Sequence, residues 1–115
     1  MLERLSRVGK KLLATGNGRC NYTNVDLDIS RYHGARPQFA LGVLNSFDSK
    51  AAIEFFHGLG ITPVVEEQGK VFPRSGQAGS LLDVLRYELE GLGVEAVCDE
   101  DVTSIETTSG GFRIN

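Results

Sequence analysis

The chain has 115 residues, 41% of them hydrophobic and 23% charged, which is enough for one domain with a single core and excludes wholesale disorder, a collagen-like chain and a coiled coil. Its net charge of −3 hides an asymmetry: residues 1–24 carry five basic groups against one acid, and the remainder carries seven against fourteen. No apolar run approaches the roughly 20 residues that cross a bilayer, and the start, Met1–Lys11, has no hydrophobic stretch like a secretory signal, so the cytoplasm is the expected compartment and a membrane is not an expected partner.

In chain order, Leu2, Leu5, Val8 and Leu12 recur at intervals of three and four, which predicts a short amphipathic helix broken at Gly9. Residues 14–24 are rich in Gly, Asn and Thr and read as a loop. Pro37 opens a helix over about 38–47, and Asp48 caps a second over about 48–58. The β-branched run from Ile61 to Glu66 and the segment Lys70–Phe72 form a two-stranded ribbon turning at Gln68-Gly69. Ser75 or Ser80 caps a long helix over about 76–91, whose stripe of Leu81, Leu85, Leu89 and Leu92 is expected to pack on a C-terminal sheet of strands 94–98, 102–107 and 112–115. The fold class is therefore α/β with a C-terminal β-meander. The chain opens without an obvious first element and stops on Asn115 in mid-strand, so 1–115 is expected to be a single segment truncated at both ends.

Chemistry concentrates near the start. Gly16, Asn17 and Gly18 form a flexible loop whose backbone N–H groups can approach an anion, and Arg19 and Lys11 add positive charge, which points to a phosphorylated ligand. An ordinary polar loop is the competing reading, because the order matches neither the P-loop nor GxGxxG. The basic groups are sparse and no aromatic residue precedes Tyr22, so nucleic acid is not an expected partner. Cys20 and Cys98 lie far apart with no CxxC, and His33 and His57 sit in unrelated segments, so neither a disulfide framework nor a metal site is expected. No Ser/His/Asp set is present to name a catalytic residue.

The string Gly16-Asn17-Gly18-Arg19-Cys20-Asn21-Tyr22-Thr23-Asn24 resembles the G-[GN]-G-R-C-N-x-T-N signature of a bacterial family of NAD(P)/FAD-dependent oxidoreductases, the aminoacetone-oxidase-like flavoproteins. The resemblance continues through Phe55-Phe56, Gly58-Leu59-Gly60-Ile61, Glu67-x-Gly69-Lys70-Val71-Phe72-Pro73 and Val102-x-x-Ile105. It implies a Rossmann-like FAD domain of the type built from two dinucleotide-binding units, entered after its GxGxxG turn. It further implies that Glu3 accepts hydrogen bonds from the adenosine ribose, that the backbone of Val102 meets adenine, that Lys11 lies near the cofactor, and that Gly16, Asn17, Gly18, Arg19, Cys20 and Asn21 approach the flavin. FAD is the implied cofactor, with weak or absent binding by this segment alone, and NAD(P)H is the candidate reductant of an unknown small-molecule substrate. A buried packing role for Cys20 competes with a redox one. The other reading of the whole chain is a non-catalytic α/β domain that associates with itself or a partner through exposed sheet edges.

Overall fold

The computed structural model describes residues 1–115. Strand β1 (Leu2–Glu3) pairs in parallel with β5 (Val97–Cys98), matching Leu2 to Val97 and Glu3 to Cys98. Leu2 therefore belongs to a ladder and not to the expected amphipathic helix. Helix α1 covers only Lys10–Ala14 and begins after Gly9, whose φ of 76° breaks any longer helix. Its neighbour in space is α4 (Ala78–Gly91), and the Arg86 guanidinium donates to the Val8 carbonyl at 2.7 Å across the joint.

A second sheet has the order β2-β4-β3, all antiparallel, with β2 at Thr23–Asn24, β3 at Pro63–Val65 and β4 at Lys70–Pro73. The β3–β4 ribbon and its turn at Glu67–Gly69 agree with the sequence pattern. Strand β2 does not, since it lies in the segment read as loop. It exists because Tyr22 N–H donates to Val71 O at 3.0 Å and Val25 N–H to Gly69 O at 2.9 Å, so β4 recruits it from afar.

The helix expected over 38–47 divides into a 3₁₀ turn, Pro37–Ala40, and α2, Leu41–Ser46. Helix α3, Ser49–Gly58, starts as expected, with the Asp48 carboxylate accepting from Ala51 N–H at 2.8 Å. The cap expected on α4 is absent. Gln77 occupies the cap position without a side-chain bond, while Ser75 and Ser80 bond each other at 2.7 Å and Ser80 Oγ donates to the Gln77 carbonyl.

The C-terminal meander is corrected to a hairpin of β6 (Ile105–Thr108) and β7 (Gly111–Ile114), because β5 is taken by β1. Consequently the leucines of α4 do not pack on a C-terminal sheet. Leu81 and Leu82 are buried toward α1 and β4, Leu85 and Leu89 are half-buried, and Leu92 is 68% exposed. The core gathers Cys20, Ile61, Ala78 and Leu81, flanked by Leu12, Leu13, Tyr22 and Phe56.

Candidate functional site

The segment after α1 owes its shape to left-handed backbone. Gly16, Asn17, Gly18 and Cys20 have φ of 54°, 55°, 80° and 60°. Glycine and asparagine adopt this region cheaply, whereas Cys20 is held there by a fully buried side chain and by its N–H donating to Thr15 O at 3.0 Å. A Cβ on Gly16 would lie 2.7 Å from the Asn21 backbone nitrogen and 3.0 Å from the Phe72 ring. Gly18 has room, with only Leu13 O within 4 Å, at 3.8 Å.

The loop is fastened to β4 side chain by side chain. Asn21 Oδ1 accepts from Val71 N–H at 3.2 Å, and the Asn24 amide donates to Gln68 O at 2.8 Å. Gly69 closes against the same segment, since a Cβ there would meet Asn24 Oδ1 at 2.5 Å and Asp26 Oδ2 at 2.7 Å. Arg19 reaches over the Phe72 ring, 4.2 Å from its centroid, and grips both oxygens of Glu66. Hydrogen bonding from Arg19 holds the Glu66 carboxyl below the usual carboxylate range, and the same pair raises the Arg19 pKa. These groups border an open depression of about 470 Å³ with Glu67 and Lys70 on its rim. Residues 16–24 and 66–72 are thus one unit in space.

Glu66 and Phe72 are the partners that spacing could not supply; the resembling string contained Phe72 but placed its acid at Glu67. Tyr22 is likewise drawn in. Its ring meets Phe56 edge to face at 5.0 Å, its hydroxyl is buried without a partner, and burial pushes its pKa up.

The remaining candidates lie elsewhere. Glu3 ends β1 half-buried, with Oε1 accepting from Leu5 N–H at 2.8 Å, and its carbonyl accepts from Glu100 N–H at 3.0 Å. That bond sets Glu100 beside Glu3, and Asp99 N–H donates to Leu5 O at 3.2 Å. Val102 itself is 41% exposed and precedes β6, so it does not open a strand as expected. Lys11 is exposed on α1, and Cys20 faces the core. No three His, Cys, Asp or Glu side chains converge as a metal site would require, and no helix is long and apolar enough to cross a membrane.

An acid at the carboxyl end of a parallel strand suits a ribose, and a glycine loop with an open face suits a ring approached by backbone. Short strands and helices alternate along the chain, an α/β arrangement. The chain belongs to the family described as the HI0933-like protein Rossmann domain, which matches residues 1–115.

Among curated relatives, it is 42% identical over 114 residues to the 3-dehydro-bile acid delta(4,6)-reductase of Clostridium scindens, covering 99% of this chain and 28% of that protein. It is 27% identical over 108 residues to the ribosomal RNA dihydrouridine synthase of Haemophilus influenzae and 26% over 115 to that of Escherichia coli, covering 94% and 100% of this chain. The chain spans 27–28% of the length of these relatives.

Proposed function

We propose that this domain holds FAD in a cytoplasmic reductase of the aminoacetone-oxidase-like kind, one that hydrogenates a carbon–carbon double bond of a small unsaturated ring ketone with NAD(P)H as reductant. The observation that carries this reading is the 42% identity to a delta(4,6)-reductase over 99% of the chain. The names of all three relatives describe hydrogen added across a double bond. A small molecule is preferred to nucleic acid as substrate because the identity to the two ribosomal RNA enzymes is much lower and the basic groups are sparse.

In this reading Glu3 accepts the ribose hydroxyls and the backbone of Val102 meets adenine. Lys11 lies on the phosphate side. Gly16, Asn17 and Gly18 let the backbone come close to the isoalloxazine, and Asn21, whose oxygen is held by Val71, offers its amide N–H. Arg19 and Cys20 are positioning residues, one braced on Glu66 and Phe72 and the other sunk in the core. Bound FAD would supply the hydride chemistry.

A side chain at Gly18 meets no packed neighbour, so what Gly18→Val costs the fold is the strain of its left-handed backbone alone. In the full gene product, Gly18→Val and Glu3→Gln are expected to lower the FAD-to-protein ratio more than they lower the melting temperature. Normal ratios with lowered melting points in both would sink the assignment. The second reading, a non-catalytic association domain, draws support from the exposed apolar face of the β6–β7 hairpin, and an FAD-free, catalytically silent gene product would favour it.

A further inference from the structure

Beyond Asn21 the chain turns away from the proposed flavin loop and forms one wall of a cavity of about 380 Å³. Tyr22 and Tyr32 line it from one side, Leu44 and Phe47 from α2 and its end, and Asp48 sits at its edge. A second cavity of about 340 Å³ shares Leu27, Leu44 and Asp48 with the first, so the two adjoin along one groove wall. Each volume is in the range of small-molecule sites, where apolar and aromatic walls carry a few polar groups.

Charge narrows the occupant. No lysine or arginine lines either part of the groove, and the acids present, Asp28 and Asp48, are turned to their own backbones as caps of Ser30 and Ala51. An anion finds no counter-charge there. Phe47 and Leu27 nonetheless stay 50% and 39% exposed around the opening, with the Phe47 ring edge to face with Phe55 at 6.2 Å. Asn21 belongs both to this cavity and to the glycine loop, so a ligand seated here lies next to whatever the loop holds.

We infer that this groove is the seat of the substrate's uncharged, flat apolar ring system, with Tyr32, Leu44 and Phe47 setting which ring shapes enter. The inference rests on the flavin reading proposed above for the adjoining loop. Any anionic tail of the substrate projects outward, because no lysine or arginine lines the groove.

Calorimetric titration of the full gene product with testosterone, an uncharged ring enone, tests it alongside the FAD-to-protein ratio of the same sample. Leu44→Trp fills the cavity and is expected to weaken binding at least about tenfold. Phe47→Ser, at a half-exposed position, is expected to weaken it in the same direction, with the melting temperature read alongside because the change also removes the Phe55 contact, while Val43→Trp on the exposed outer side of α2 leaves it unchanged. Absence of saturable binding in a sample that holds FAD overturns the groove assignment and leaves the flavin reading standing. Saturable binding that neither Leu44→Trp nor Phe47→Ser weakens also overturns it. Binding lost in those two variants but present in a sample without FAD supports the groove and refutes the flavin reading instead.

Discussion

Arg19 shows how much one side chain organises. It ties the end of the glycine loop to Glu66 while covering the Phe72 ring, so its charge is partly spent inside the protein. Because the Glu66 carboxyl is held below its ordinary range by the hydrogen bonds from Arg19, the stability it contributes is present above the ordinary glutamate pKa and is lost as pH falls through the lowered value. Carboxyl-carbon NMR is expected to show Glu66 titrating at lower pH than a typical exposed glutamate, and Arg19→Ala to return it to the ordinary range. The destabilisation caused by Arg19→Ala should shrink in acid to the part that the Phe72 contact contributes, and a difference that does not change with pH would contradict the ion pair.

At Gly16 the expectation is steric. A Cβ would press on the Asn21 nitrogen at 2.7 Å in a left-handed backbone, so Gly16→Ala should cost about 1–3 kcal/mol, read as a lower melting temperature, and more than Gly18→Ala. The sequence singled out both glycines but could not rank them, since the ranking depends on how the fold brings the Asn21 backbone, and Phe72 from far along the chain, onto Gly16. Arg19 was legible as a charged loop residue for the same reason that its partner was not: charge is a property of one position and pairing is a property of the fold.

Elements formed by local chemistry were legible. The Asp48 cap starts α3, the glycines Gly91 and Gly93 stop α4, and Ser109-Gly110 turns the last hairpin into Gly111 of β7. Those formed by distant partners were not. Two-residue strands such as β1 and β2 carry no periodicity, and each is fixed by a partner, β5 or β4, that sits far along the chain. The α4 stripe illustrates the mixture: its apolar character was visible, but its partner proved to be α1 and β4, which shifts the buried positions to Leu81 and Leu82. Leu81→Ala should therefore destabilise the protein by about 2–5 kcal/mol in denaturant unfolding, whereas Leu92→Ala should stay within about 0.5 kcal/mol. Equal costs at the two positions would mean that the stripe expected from periodicity is the packed one after all.

At the scale of the whole molecule, the radius of gyration is 16.8 Å, against about 13 Å for a compact domain of this length. Ten of 115 residues are buried, so much apolar surface remains open. The hairpin concentrates it. Ile105 opposes Ile114 and Thr107 opposes Phe112, which puts Ile105, Phe112 and Ile114 on one face, 65%, 75% and 53% exposed. The opposite face carries the Glu106–Arg113 pair at 3.5 Å. A two-stranded ribbon is marginal in water without something against its apolar side, and its outer edges offer unpaired backbone groups. The 115-residue chain expressed alone is therefore expected to associate with itself, with sedimentation coefficients that rise over a tenfold increase in concentration. Ile105→Lys together with Phe112→Lys should suppress the rise, because both charges fall on the associating face, whereas Arg113→Ala on the other face should not. A concentration-independent monomer, or association indifferent to the paired lysines, would show that the apolar face of the hairpin drives nothing.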